Sequence, residues 1–196
     1  MQFQPSSQCG EDVWMVGNLQ LPSNGVFVEV GAEHGGGGSN TLSFERMGWT
    51  GLLIEANPDL LPFLQRNRPN CKIESCAIGS DPTQMFYINP QTPISALGRP
   101  SQGRPVKVPV KRLGDVLDAH GIGHIDLLSI DVEGSELDAW STLDHNKHTP
   151  SIVIIEWNTT GLPYNDKAVR EVFSKLPYKE VHQTIANLIF VRTTTP

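Results

Sequence analysis

Acidic residues stand at the ends of the most apolar runs of this chain, beside glycines, and there the chemistry is to be sought. The stretch FVEVGAEHGGGGSNT (27–41) carries Glu29 near the end of its apolar run. It turns at Gly31, holds Glu33 in the turn and continues through Gly35–Gly38. A second run, GLLIEANPD, reaches Glu55. IDLLSIDVEGSELDAW (125–140) leads to Asp131, then Glu133, Gly134 and Glu136, and IVIIEWN (152–158) ends in Glu156, Trp157 and Asn158. In open α/β sheets, ligands bind beyond the carboxyl ends of the strands, where the strand order reverses. Read as strands, these runs aim several carboxylates at one rim.

A glycine turn after a first strand commonly cradles a pyrophosphate. The dinucleotide fingerprint would require glycine at 31, 33 and 36, and position 33 is Glu, whose charge repels phosphate. Glu55 is placed to accept hydrogen bonds from the two hydroxyls of a ribose. The pair points to an adenosine-containing ligand without a pyrophosphate. Glu29 and Glu33 add negative charge beside the turn, which suits a ligand with cationic groups. S-adenosylmethionine (SAM) has a sulfonium, an ammonium and a ribose. The plainer alternative makes Glu55 a surface acid and the glycines a loose loop, with Glu136 serving the dipole of a helix start. It leaves Asp131, at the end of an otherwise apolar strand, without a role.

The elements that must position these groups follow from pattern. Val26–Val30, Leu52–Glu55, Ile73–Ala77, Ile125–Ile130 and Ile152–Glu156 read as buried strands. Their continuous apolar character, without alternation, suits a parallel sheet covered on both faces. Ser39 or Asn40 is expected to cap a helix through Met47, with Gly48 ending it. NPDLLPFLQRN predicts a helix with Pro62 in its first turn. Leu113, Val116 and Leu117 share one helical face, and Leu137, Trp140 and Leu143 another. Asp166 is expected to cap a helix through Lys175. YKEVHQT and NLIFVR are close enough for an antiparallel hairpin. Residues 84–112, with Pro90, Pro93, Pro100, Pro105 and Pro109 around the β-like runs MFYI and VKVPV, interrupt the alternation. They predict an inserted excursion over the sheet edge or the site.

The bulk properties narrow the class. A chain of 196 residues is long enough for one full core, which predicts a single domain over 1–196. A net charge of −6 argues against a nonspecific nucleic-acid binder. The basic stretch GRPSQGRPVKVPVKR (98–112) reads as a solvated loop and edge strand. Cys9, Cys71 and Cys76 lack metal spacing and suggest a reducing compartment. The opening MQFQPSSQCGEDVW has no basic region followed by an apolar one, so no secretory leader is expected. The apolar runs are strand-sized, too short to span a membrane. The expectation is a cytoplasmic protein with no membrane partner, and its oligomeric state leaves no mark in the sequence.

Taken together, SQCGEDVW (7–14), FVEVGAEHGGGGSNTLSFERMGWTGLLIEANPD (27–59), IDLLSIDVEGSELDAW and, more loosely, IVIIEWN resemble the FkbM-type family of SAM-dependent methyltransferases. The resemblance covers most of the chain and is weakest over 84–112 and at the C-terminus. It implies a class I methyltransferase fold, a Rossmann-like three-layer α/β sandwich whose seven-stranded sheet has an antiparallel last strand. It also implies cofactor positions. Gly31, with Ala32 and Gly35, would pass beside the methionine part. Glu55 would hold the ribose, with Ala56 and Asn57 beside the adenosine. Cys76 and Ala77 would border the adenine. Gln8, Ser39 and Asn40 would contact the amino-acid end or serve as turn and cap residues, and Glu29 and Asp131 complete the cofactor set.

The resemblance further implies O-methylation of a hydroxyl on a sugar or natural-product-like small molecule. The catalytic acids would be Asp131, Glu133 and Glu156. Two arrangements are open. Glu133 or Glu136 acts as a general base, with His34 a further candidate, or Asp131, Glu156 and Asn158 gather around Mg²⁺ as hard oxygen ligands. The alternatives to small-molecule methylation are an RNA methyltransferase resting on 98–112, a nicotinamide-dependent oxidoreductase and a non-catalytic cofactor-binding protein of the same fold.

Overall fold

Residues 3–89, 95–98, 103–159 and 161–193 are described by a computed structural model of the chain. In chain order, α1 (Glu11–Asn18) leads to β1 (Val26–Val30), α2 (Leu42–Arg46) to β2 (Thr50–Ile54), and α3 (Leu61–Asn67) to β3 (Lys72–Glu74). Then come the short strands β4 (Ala77–Ile78), β5 (Phe86–Ile88), β6 (Ala96–Leu97), β7 (Arg104–Val106) and β8 (Val110–Lys111). The alternation resumes with α4 (Leu113–Ala119), β9 (Leu127–Ile130), α5 (Glu136–Ser141), β10 (Ile152–Glu156) and α6 (Asp166–Phe173). β11 (Tyr178–Gln183) and β12 (Asn187–Arg192) close the chain as an antiparallel hairpin.

The main sheet has seven strands in the order β11-β12-β10-β9-β1-β2-β3. β12 alone runs against its neighbours β10 and β11. From β1 the chain winds outward through β2 to β3, then returns to place β9 on the other side of β1. The strand order therefore reverses between β1 and β9, and a crevice opens beyond their carboxyl ends.

Alternation along each strand feeds two layers. Val28, Val30, Leu52, Ile54, Leu128, Ile130, Val153 and Ile155 pack with Leu113, Val116 and Leu117 of α4, Trp140 of α5, and Val169 and Phe173 of α6. Phe27, Leu53, Leu127, Ile152, Ile154 and Ile189 pack with Met15 of α1, Phe44 of α2 and Leu64 of α3. Leu143 is buried in the first layer and Leu137 packs against it, as their spacing with Trp140 predicts. Pro62 sits in the first turn of α3, where its missing N–H leaves no helical bond unmade.

The sequence expectation differs from the structure at several boundaries. The run Ile73–Ala77 is not one strand. β3 stays in the main sheet, whereas β4 pairs in parallel with β8 outside it. α2 starts only at Leu42, yet the Ser39 hydroxyl does accept the Leu42 N–H at 3.1 Å. α6 ends at Phe173, short of Lys175, and its cap position is Asn165, with Asp166 as the first helical residue. Over 84–112, Phe86–Ile88 forms a strand as expected, but VKVPV divides between β7 and β8. β6, β5 and β7 make a small antiparallel sheet with its own buried patch of Ala77, Phe86, Ile88 and Leu97. Pro90, Pro93 and Pro100 lie outside the described residues. Among the described residues no helix is long and apolar enough to cross a membrane.

Phe173 anchors the first layer. Its ring stacks on Phe190 at 4.0 Å and on Trp140 at 4.7 Å, and meets Tyr178 edge-on at 5.5 Å. Phe173→Ala should lower the unfolding free energy by about 3–5 kcal/mol. Urea unfolding measures this directly, and a loss below about 1 kcal/mol would contradict the packing.

Candidate active site

The crevice holds a cavity of about 330 Å³ at the carboxyl ends of β1, β2 and β9, within the roughly 300–1,000 Å³ of small-molecule sites. Gly31 is required where the chain leaves β1. Its φ is 86°, and a Cβ there would lie 1.7 Å from the Asp131 carbonyl oxygen. The turn beyond passes over α3. At Gly35 φ is 69°, and a Cβ would meet the side chains of Leu64 and Arg68 at 2.5 and 2.7 Å. Gly38 ties the run to the N-terminal segment, its N–H donating to the Ser6 carbonyl at 2.7 Å. That segment is fixed in turn by buried Asp12, which accepts the Ser6 N–H at 2.7 Å and the Ser7 hydroxyl at 2.5 Å. Gln8 is thereby brought to the cavity wall.

Glu29 is not the free negative charge that the sequence suggests. Its carboxylate is buried and accepts the Asn40 N–H at 3.0 Å, the Thr41 hydroxyl at 2.6 Å and the Ser39 hydroxyl at 2.9 Å. Behind these groups lies Arg68, with no solvent exposure. Its guanidinium stands 3.6 Å from Glu29, pairs with Glu45 and donates to the Ser39 and Thr41 hydroxyls. Glu29 borders the cavity, but its charge is balanced from within the fold.

Glu55 lies just past β2 and is buried. Its Oε2 accepts the Glu33 N–H at 2.7 Å and its Oε1 the Asn57 N–H at 2.6 Å. Each oxygen keeps a lone pair that a ribose hydroxyl can use. Burial pushes its pKa up to about 7, although these backbone donors favour the charged form. Asn57 does not line the cavity. It holds the turn behind Glu55, its Oδ1 accepting the Asp59 N–H at 3.0 Å. Ala56, Cys76 and Ala77 do line it. Burial raises the Cys76 thiol to about 12, so it stands there as a neutral wall.

On the opposite lip, Asp131 and Glu133 line the cavity with Ser129 and Ser135. Glu133 has φ 58° and Glu33 has φ 48°, a region sparsely used by residues with side chains. Glu136 is fully buried, and its Oε1 accepts the N–H groups of Val132 at 3.2 Å and Gly134 at 2.7 Å. Glu156 accepts the Thr159 hydroxyl at 2.7 Å. Asp131, Glu136 and Glu156 each place one carboxylate oxygen within 4.8 Å of the others. Burial, then the surrounding acids Glu156, Glu133, Glu136 and Glu33, push the Asp131 pKa well above the usual range. Burial raises Glu156 to about 8, opposed by the Thr159 hydroxyl and reinforced by Glu136 and Glu133.

Asn158 is the third ligand that the sequence expects beside Asp131 and Glu156. An extended strand would send residues 156 and 158 to the same face, but β10 stops at Glu156. The Asn158 side-chain amide instead donates to the Ile185 carbonyl at 2.8 Å, in the turn of the C-terminal hairpin. Glu136, which the sequence offers only as a base or a helix-dipole acid, takes its place among the clustered carboxylates. Two kinds of residue went unnoticed in the sequence. Phe86, Ser95 and Leu97 from the inserted segment reach the cavity, and Arg68 supports its floor. MFYI signals a strand, but nothing in it says which surface the strand will cover.

A family model for the FkbM methyltransferase domain matches residues 29–180. The chain belongs to the FkbM methyltransferase family. The matched span includes every acid of both lips, and the family's activity is SAM-dependent methyl transfer. No curated protein sequence matches this methyltransferase. Among solved structures it is similar to precorrin-6y C5,15-methyltransferase from Geobacter metallireducens, at 12% identity and TM-score 0.53, covering 93% of this chain and 87% of that one. It is also similar to the fibrillarin pre-rRNA processing protein of Methanococcus jannaschii (10%, TM-score 0.53, covering 88% and 68%). A third is the ribosomal protein L11 methylase of Lactobacillus delbrueckii subsp. bulgaricus (10%, TM-score 0.52, covering 94% and 78%). At such identities the likeness is one of fold, and that fold is the class I methyltransferase sandwich.

Two predictions follow from the floor and the ribose-side wall. Arg68→Met would leave Glu29 buried without its counter-charge, and should cost about 3–5 kcal/mol in urea unfolding. A change below about 1 kcal/mol would show that the pair is not needed. Glu55 sets a pH dependence. A carboxyl raised from 4.5 to about 7 on folding contributes stability below pH 4.5 and loses it as pH rises through about 7. The melting temperature of the ligand-free protein should therefore fall, relative to Glu55→Gln, across that window. Parallel curves for the two proteins would refute this.

Proposed function

We propose that this methyltransferase moves the methyl group of SAM to a hydroxyl oxygen of a small molecule of sugar or natural-product type. The observation carrying this reading is the chemistry of the cavity wall. Beside the charge-balanced Glu29, the acids Glu33, Glu55, Asp131 and Glu133 line it, and among the described lining residues there is no Lys or Arg. Such a wall accepts a cationic donor and hydroxyl hydrogen bonds, and repels phosphates. Gln8, Gly31, Ala32, Gly35, Ser39 and Asn40 would take the amino-acid and sulfonium end. Glu55 would take the ribose, and Ala56, Cys76 and Ala77 the adenine.

In the proposed reaction the acceptor oxygen attacks the methyl carbon in line with the sulfur. The carbon–sulfur bond breaks, its electron pair stays on sulfur, and S-adenosylhomocysteine leaves. The hydroxyl proton passes to Glu133, which faces the cavity, whereas Glu136 is sealed beneath it. Most of the rate would come from holding oxygen and methyl in line. The free cysteines Cys9, Cys71 and Cys76 suit work in a reducing, cytoplasmic setting.

An RNA acceptor is disfavoured by the net charge of −6 and the acidic cavity wall, and two cations of the basic stretch are already paired. Arg104 is paired with Asp59, and Lys111 with Glu74. A nicotinamide cofactor is disfavoured by Glu33 in the turn.

Calorimetry should detect S-adenosylhomocysteine and no NAD. Labelled SAM offered to a panel of sugars, amines and RNA should yield methyl ethers. Exclusive methylation of amines or RNA would overturn the acceptor class. Glu133→Gln should reduce turnover at least about 100-fold while leaving S-adenosylhomocysteine affinity within a factor of about two. Unchanged turnover would remove Glu133 from the reaction.

A further inference from the structure

We infer that Asp131, Glu136 and Glu156 form a divalent-cation site at the acceptor side of the cavity. The three carboxylates come from separate, well-packed positions: just past the end of β9, the first residue of α5 and the last residue of β10. One oxygen of each lies within 4.8 Å of the other two, a spacing that suits a shared ion. None of the three forms an ion pair with Lys, Arg or His among the described residues. Among the described residues the cluster therefore has no protein counter-charge, in contrast to Glu29 with its Arg68.

A second observation is independent of that proximity. Glu136 is completely buried, and its Oε2 has no N–H or hydroxyl donor; only the Glu156 carboxyl, by sharing a proton, could serve it from within the protein. Folded proteins rarely leave a buried polar atom unpaired, so this oxygen calls for a proton, a water or an ion. Its other oxygen is held by the Val132 and Gly134 N–H groups, so the carboxylate is oriented before any ion arrives. Glu156 is likewise oriented by the Thr159 hydroxyl. Ligands fixed by a supporting layer of hydrogen bonds are characteristic of built metal sites.

The donor set is all carboxylate oxygen, which selects hard cations of the Mg²⁺, Mn²⁺ or Ca²⁺ class over zinc or copper. Three protein ligands leave coordination positions for water or an acceptor hydroxyl. Asp131 alone of the three lines the cavity, so it joins the ion site to the acceptor space. The inference deepens the proposed reaction, and depends on it only for what the ion does: favouring loss of the hydroxyl proton. Binding itself does not require that reading.

The test uses the full chain, stripped with EDTA and then dialysed, with S-adenosylhomocysteine present. Mn²⁺ is titrated and followed by electron paramagnetic resonance. The expected result is one Mn²⁺ per chain, displaced by excess Mg²⁺, with affinity at least tenfold weaker in Glu156→Gln and in Glu136→Gln. Asn158→Ala should bind as the unaltered protein does. S-adenosylhomocysteine affinity and thermal melting report whether each variant is folded. Should Glu136→Gln unfold, Glu156→Gln decides. No Mn²⁺ uptake up to millimolar concentration would overturn the site, leaving a shared proton between Glu136 and Glu156. Equal uptake by a folded Glu156→Gln would overturn it too. Failure of S-adenosylhomocysteine to bind would count against the methyl-transfer reading and leave the Mn²⁺ result to stand alone.

Discussion

The buried guanidinium of Arg68 is the contact on which the cofactor side of this molecule depends. A charge without solvent exposure is tolerable only when its hydrogen bonds and counter-charges are in place. Here Glu29 and Glu45 supply the charges, Ser39 and Thr41 the acceptors, and the Phe27 ring lies 5.4 Å from its central carbon. Because Arg68 stands at the end of α3, it locks that helix beneath the start of α2 and the end of β1. The glycine turn is thereby fixed at both its ends. Between them, Gly35 can lie close to α3, because it has no side chain to push Arg68 away.

The acids of the site divide by what they hold. Asp12, Glu29, Glu55 and Glu136 each accept backbone N–H groups and set the shape of a turn. Asp131 and Glu133 instead line the cavity. A sequence shows where a carboxylate occurs along the chain, but neither its direction nor its counter-charge. Glu29 therefore reads as a free charge near a ligand. The residue that cancels it, Arg68, stands at the end of a helix in another segment and gives no local signal.

What was legible was what periodicity and chain order determine. Continuous apolar runs marked β1 and β10 to the residue, and the short gap before NLIFVR marked the antiparallel hairpin. The carboxyl-end rule brings Gly31, Glu55 and Asp131 to one crevice from chain order alone. What was not legible depended on pairing at a distance. Ala77 leaves the main sheet because β8, more than thirty residues later, offers it a partner (Ala77 to Val110). The Asn158 side-chain amide is engaged by a carbonyl in the hairpin turn, and Phe86 and Leu97 reach the cavity from strands too short to carry a pattern of their own.

The two lips of the crevice repeat one device. After β1, Glu33 takes a left-handed backbone and its N–H is held by buried Glu55. After β9, Glu133 takes the same conformation, and its neighbours' N–H groups are held by buried Glu136. A strained residue persists only where its surroundings over-determine it, and in both turns a buried carboxylate is what does so. Methyl transfer gains most of its rate from alignment, so a site that must hold donor and acceptor in line benefits from rigid turns on both sides. The cost is a crowd of carboxylates around Asp131, and protons, a cationic donor or a metal ion are the means of relieving it. The strain and the crowding thus have one origin: acids used as braces at the point where the strand order reverses.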